Sequence, residues 1–249
     1  MNIVAIIQAR TGSTRLPDKV FLDLKGNPLI WHVFNRIKKS KYINSFVLAT
    51  TKNKKDDRLE NWALENNILL YRGNENDVLD RYYQAANMFK ADIIVRITAD
   101  DPLKDVDVLD SVINEFLIHN VDFAFNNNPV SFPEGMDVEV FKYNALKIAH
   151  LNSTDSFERE HVTQYFHRNP ELFSKRNISN LQDFSNLRWT IDTLEDYKLI
   201  QIIYNKLYDK NKSFKFKDII LLIESNPKLA TLNIYEKRSE MYKNKNLKI

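Results

Sequence analysis

The chain contains no cysteine, only four glycines among 249 residues, and no apolar run approaching the ~20 residues of a membrane span. Without cysteine, disulfide frameworks, thiolate zinc sites, iron–sulfur clusters and thiol nucleophiles are excluded. Charge of one sign is also scarce. The formal net charge of +3 is too small to argue for a nucleic-acid binder. It is also local: from Lys206 onward eleven Lys and Arg face five Asp and Glu, so the preceding body is slightly acidic. Met1-Asn2 runs straight into Ile3-Val4-Ala5-Ile6-Ile7 with no basic lead-in, and the apolar run breaks at Gln8-Ala9-Arg10. These features predict no signal peptide, no membrane partner and a cytoplasmic protein. The 43% hydrophobic and 28% charged residues that remain are those of an ordinary globular chain.

Strand-length apolar runs alternate with helix-length amphipathic stretches. Strands are expected at 3–7, 45–49, 68–71 and 93–98, and helices at 28–39, 56–66, 78–89 and 106–119. That order predicts an α/β fold with a mostly parallel central sheet flanked by helices. Past residue 120 the pattern loosens. Strands at 123–126, 137–141 and 187–191 and helices at 198–207 and 216–224 are expected, with longer polar connections between them. With no repeat and no break in composition, one domain over 1–234 and a basic tail over 235–249 are expected.

The loop after the first strand carries the most chemistry. Gln8-Ala9-Arg10-Thr11-Gly12-Ser13-Thr14-Arg15-Leu16-Pro17-Asp18-Lys19 places small residues and the cations Arg10, Arg15 and Lys19 where an open parallel sheet binds its ligands. Small residues let backbone amides face an anion, and Arg and Lys neutralise it, which suits a polyphosphate. The loop is neither a Walker A sequence nor Gly-x-Gly-x-x-Gly, and a basic, solvated turn is the alternative.

This loop, followed by Gly26-Asn27-Pro28-Leu29-Ile30, closely resembles the signature loop of sugar cytidylyltransferases. The nearest resemblance is to the SpsF-like family of spore coat polysaccharide biosynthesis. More distant relatives make CMP-activated 3-deoxy-octulosonic and sialic acids. The resemblance continues collinearly through Val47-Leu48-Ala49-Thr50-Thr51, Arg72-Gly73-Asn74-Glu75-Asn76-Asp77-Val78-Leu79-Asp80-Arg81-Tyr82 and Val95-Arg96-Ile97-Thr98-Ala99-Asp100-Asp101-Pro102-Leu103. It resumes at 133–141, Glu158-Arg159-Glu160-His161-Val162-Thr163 and Thr190-Ile191-Asp192-Thr193-Leu194-Glu195-Asp196. One departure stands out: the family usually has Thr-Gly-Asp where this chain has Thr98-Ala99-Asp100. The resemblance implies a single-domain, Rossmann-like nucleotidyltransferase fold of the GT-A type.

It also implies site residues. Ala9, Arg10, Gly12, Ser13, Thr14 and Thr98 would meet the nucleotide, and Arg15 and Lys19 would be catalytic, balancing charge on the leaving pyrophosphate. Arg72, Asp80 and Arg81 would meet cytosine and ribose, with an ion pair at a helix start as the alternative. Asp100 and Asp192 each follow an expected strand and would hold Mg²⁺, which prefers one or two carboxylates with phosphate oxygens and water. A turn acid and a helix-start acid are the respective alternatives. Asp137 and Glu139 on one side of a strand, with Arg159 and His161, would bind the acceptor, though a solvated or dimer-facing charge cluster fits nearly as well. The implied activity is Mg²⁺-dependent transfer of CMP from CTP to a small anionic sugar acid or sugar phosphate. A glycosyltransferase or a non-catalytic nucleotide binder are the rivals. The first would want an acid-x-acid motif, which Thr98-Ala99-Asp100-Asp101 lacks. The apolar segment Phe214, Phe216, Ile219, Ile220, Leu222 and Ile223, with no sheet left to cover, points to a homodimer.

Overall fold

The computed structural model describes residues 1–236. The basic tail expected over 235–249 therefore falls, from residue 237 on, outside the described residues.

Strand β1 (Ile3–Gln8) is buried on both faces: Ile3, Ala5 and Ile7 enter one core, Val4 and Ile6 the other. A single 3-10 turn at Lys19–Phe21 and a short hairpin, β2 (Asp23–Leu24) with β3 (Asn27–Pro28), follow it. Lys25 and Gly26 both hold positive φ (54° and 83°) in the turn between these two strands, the geometry a two-residue hairpin needs. Then come α1 (Leu29–Ile37), β4 (Ser45–Thr51), α2 (Asp57–Glu65), β5 (Leu69–Gly73), α3 (Val78–Met88), β6 (Ile93–Thr98) and α4 (Val106–His119). The second half holds β7 (Phe123–Phe125), β8 (Glu139–Lys142), α5 (Tyr143–Asn152), α6 (Ser156–Glu160), α7 (Gln164–Arg168), β9 (Lys175–Asn177), α8 (Leu194–Leu207) and α9 (Phe216–Ser225).

The seven-stranded sheet has the order β5-β4-β1-β6-β8-β7-β9. β5, β4, β1 and β6 run parallel, and β8 alone is antiparallel to both its neighbours. The chain moves outward from β1 to β4 and β5, then crosses back to place β6 on the other side of β1. The connections after β1 and β6 therefore diverge, and such a switch point opens a crevice at the strands' carboxyl ends. One core packs α1, α4, α8 and α9 on one face of the sheet, and the other packs α3, α5 and α7 on the opposite face. Each fully buried Leu, Ile or Phe contributes roughly 1.5–3 kcal/mol.

Helix starts are secured by acids. Asp77 caps α3 by accepting from Asp80 N. Asp105 accepts from Asp107 N and Val108 N to cap α4, and its other oxygen accepts from Phe216 N (2.6 Å) at the start of α9.

The structure departs from the sequence reading in the second half. Residues 187–191 form no sheet strand. Leu187, Trp189 and Ile191 alternate because they are buried in a core, while the backbone bonds to loops: Trp189 N to Glu134 O (2.7 Å) and Ile191 N to Asp100 O (2.9 Å). β9 was not expected because Lys175-Arg176-Asn177 carries no apolar signal at the sheet's edge. Helices α5, α6 and α7 occupy what reads as polar connection. The segment 214–223 is not left uncovered either. Phe214, Ile219, Ile220 and Ile223 are buried in the core, so the observation that pointed to a homodimer falls away. Among the described residues, no helix is long and apolar enough to cross a membrane.

His167 on α7 packs against the rings of Phe123 (5.1 Å) and Phe125 (4.9 Å). Burial pulls its pKa down to about 4, against an opposing pull from Glu139 and with a smaller push from Lys175. The folded state thus disfavours the imidazolium that the unfolded chain forms near pH 6.5. This contribution is full above pH 6.5 and is lost as pH falls toward 4. Between pH 7.5 and 4.5 the wild-type protein is expected to lose about 2–3 kcal/mol more than His167→Leu, read from urea unfolding at the two pH values. Equal losses would remove His167 as the cause.

Candidate active site

A cavity of about 380 Å³ opens where β1 and β6 end. Their paired last residues, Gln8 and Thr98, lie on its wall, and the loops that follow supply Ala9, Arg10, Ser13, Thr14, Arg15 and Lys19 from one side and Ala99, Asp100 and Asp101 from the other. The opposite wall carries Glu134, Gly135, Asp137, Glu139, Glu160, His161, Thr190 and Asp192. Gly135 makes that wall possible. At φ +101° its backbone presses on 189–190 so closely that a Cβ would stand 2.7 Å from Thr190 N.

At the centre is Lys19. Its Nζ donates to Asp100 Oδ2 (2.7 Å), Asp192 Oδ1 (2.7 Å) and the carbonyl of Ile191 (2.8 Å). The 3-10 turn begins at Lys19, directly after Asp18 in the left-handed region, and this aims the lysine inward. Burial lowers the Lys19 pKa, but the carboxylates of Asp100 and Asp192 outweigh it and leave it raised. Burial likewise pushes Asp192 up, and Lys19, with Arg15 and Arg188, overrides it and holds the carboxyl down at about 2. Arg15 pairs with Asp192 Oδ2 at 2.9 Å, and Arg188 donates to the same oxygen at 2.8 Å. The start of α8 does not need Asp192, because Thr193 and Asp196 close a capping box there.

The sequence reading placed Asp100 and Asp192 after two strands; only Asp100 follows one, yet the structure brings both acids to Lys19. Asp101 is different: it accepts from Thr98 Oγ1 (2.6 Å) and pairs with Lys104 (2.9 Å).

Over residues 4–246 the chain matches the family model described as cytidylyltransferase. The chain belongs to the cytidylyltransferase family. Spore coat polysaccharide biosynthesis protein SpsF of Bacillus subtilis is 32% identical over 237 residues, spanning 92% of this chain and 97% of that protein. A solved cytidylyltransferase from Leptospira borgpetersenii serovar Hardjo-bovis superposes with a TM-score of 0.88 at 35% identity, over 92% of this chain and 97% of its own. CMP:2-keto-3-deoxy-manno-octonic acid synthetase, solved with CTP, shares the fold at 15% identity, with a TM-score of 0.64 over 83% of this chain and 99% of that one.

In this cytidylyltransferase several expected site residues stand away from the cavity. Arg72 is saturated by Asp57 (2.8 Å), Glu60 and the carbonyls of Thr51 and Asn53, the helix-start ion pair that was its alternative. Asp80 turns to Gln84 and to His150 (2.9 Å). Arg159 grips Asp77 (2.5 Å) and the carbonyl of His150. Gly12 belongs to the loop without lining the cavity.

Arg81 does line the cavity. It is buried, and its Nε and Nη1 have no hydrogen-bond partner among the described residues. Burial, with Arg10 nearby, lowers its pKa. A buried guanidinium with open donors facing a cavity is suited to receive an acceptor-rich ligand.

Arg96 was missed. It pairs with Glu139 across the β6–β8 ladder, and both line the cavity. Burial pushes Glu139 up, but Arg96 outweighs it and keeps the carboxyl below its ordinary range. The signal for Arg96 was present as a charge inside the buried run Ile93-Ile94-Val95-Arg96-Ile97.

Proposed function

We propose that this enzyme couples CTP to a sugar acid or a sugar phosphate in a Mg²⁺-dependent reaction, and that the product serves surface polysaccharide synthesis. An acceptor oxygen, the hydroxyl of a sugar acid or a phosphate oxygen of a sugar phosphate, attacks the α-phosphorus of CTP, the bond from that phosphorus to the oxygen bridging the β-phosphate breaks, and pyrophosphate leaves. The observation that carries the reading is the convergence of Asp100, Asp192 and the Ile191 carbonyl on one cationic group beside the loop of small residues.

That convergence also tests the fit of the metal. Two carboxylates and a carbonyl already share a cation, the ammonium of Lys19, so the donor set suits a hard divalent ion. Asp100 and Asp192 would hold it with phosphate oxygens and water, since no group of three or more His, Cys, Asp or Glu side chains among the described residues could hold a metal ion. When bound, Mg²⁺ supplies charge neutralisation at the phosphates and acidifies the acceptor hydroxyl. The chain's residues do the rest. Ser13 and Thr14 on the cavity wall would meet the triphosphate, Arg15 and Lys19 would balance the charge of the departing pyrophosphate, and Asp137, Glu139 and His161, which line the same cavity, would meet the acceptor. Relatives named 3-deoxy-manno-octulosonate cytidylyltransferase favour an acidic sugar. We also propose pairing of two copies, the commonest closed assembly; in-solution mass measures it.

The test is a pyrophosphate-release screen of the four nucleotides against sugar acids and sugar phosphates, with and without Mg²⁺. Release is expected with CTP, an acidic sugar and Mg²⁺ together. Release with a different nucleotide would move the reading to another nucleotidyltransferase, and a folded protein that gives no release with any acceptor would be a non-catalytic nucleotide binder.

A further inference from the structure

We propose that Asp56 and Thr11 form a positioning pair that shapes the loop after β1 for the β- and γ-phosphates of CTP, an inference resting on the nucleotide role given to that loop above. Neither residue lines the cavity; both are buried behind it, at 2% and 5% exposure. Asp56 Oδ1 accepts from the amide of Thr11 (2.7 Å) and from its hydroxyl (2.8 Å), while Oδ2 accepts from the hydroxyl of Thr51. The carbonyl of Thr11 accepts in turn from Ser13 N (2.9 Å) and Asp18 N (3.1 Å). Thr11 therefore gathers the first turn of the loop and the residue before Lys19 onto one point. That point is fastened to a 3-10 turn 45 residues away in sequence.

The electrostatics argue that geometry is what this carboxylate contributes. A buried carboxylate is strongly penalised unless its hydrogen bonds are excellent, and those of Asp56 come from neutral amide and hydroxyl donors. A negative charge behind a phosphate loop also opposes the arrival of an anion. What it supplies instead is a pair of short, charge-assisted bonds that hold Thr11 in one orientation. With Thr11 held, the backbone through Ser13 and Thr14, which line the cavity, is set before the ligand arrives, so less ordering accompanies binding.

Three variants separate positioning from bulk stability. Thr11→Val keeps shape and amide but lacks the hydroxyl donor. Asp56→Asn keeps shape but lacks charge. Thr11→Ser keeps both donors. Each is titrated calorimetrically, in the presence of Mg²⁺, with CTP, pyrophosphate and CMP, and the melting temperature of the free protein is measured alongside. Thr11→Val and Asp56→Asn are expected to bind CTP and pyrophosphate about tenfold more weakly with CMP unaffected, and Thr11→Ser to match wild type. If Asp56→Asn does not fold, Thr11→Val carries the test alone. Equal weakening of all three ligands, or unchanged affinities with only a lower melting temperature, would overturn the inference. A wild-type protein that binds neither CTP nor pyrophosphate would overturn the nucleotide reading with it, whereas wild-type binding matched by the variants removes the positioning role alone.

Discussion

Lys19→Ala is expected to lower kcat by roughly two to three orders of magnitude, the loss typical of one preorganised charge stabiliser of the transition state. Lys19 is well placed for that role: it is almost fully buried and already desolvated at the cavity's centre, so its charge is little screened. The same variant leaves Asp100 and Asp192 facing each other without their shared ammonium. The free protein should therefore melt lower, and Mg²⁺ should raise the melting temperature of the variant more than that of wild type. Turnover by pyrophosphate release, together with melting curves at several Mg²⁺ concentrations, checks both expectations. A variant within threefold of the wild-type rate would remove Lys19 from catalysis, and an equal Mg²⁺ response would separate the ammonium from the metal-binding acids.

Asp100→Asn is expected to cost about a thousandfold in turnover, because it removes charge from the proposed Mg²⁺ site while keeping its shape; ~4 kcal/mol of transition-state stabilisation corresponds to that factor. Asp100 is only partly buried and its oxygen is held by Lys19, so the change disturbs little besides charge. Asp101→Asn is the contrast. Asp101 is buried between Thr98 and Lys104, and its substitution should act through a lower melting temperature, with activity largely retained in the folded fraction. Rates measured across a Mg²⁺ titration distinguish the two. If Asp101→Asn is the inactive variant and Asp100→Asn is not, the metal assignment belongs one residue later.

The half of the fold around β1 was legible because its signals are local. Ile3 to Ile7 is apolar over a full strand, and α1 carries Leu29, Ile30, Val33, Phe34 and Ile37 on a single face. The strand-end position of Asp100 follows from the same periodicity. Where the reading failed, the deciding partner lies far away in sequence. Residues 187–191 look like a strand because burial alternates, yet their backbone bonds go to Glu134 and Asp100. Arg72 and Arg159 carry charges that suit a nucleotide or an acceptor, and only the folded chain reveals that Asp57, Glu60 and Asp77 consume them. Asp56 gave no chemical signal at all, since a carboxylate before a helix is ordinary until Thr11 is placed against it.

The ammonium of Lys19 and the carboxylate of Asp192 are 173 residues apart in the chain. A polypeptide leaving the ribosome thus completes the loop after β1 early and must then wait through most of its own synthesis for Asp192. During that interval Lys19 has at most one of its two carboxylate partners, and the segment 187–191 that walls the cavity does not yet exist. Such non-local closure slows folding, because the entropy of a long loop is lost before the contact that rewards it forms. A fragment ending near α7 carries strands β1 to β8 in its sequence but lacks Asp192, so under the proposed mechanism it is expected to show no turnover.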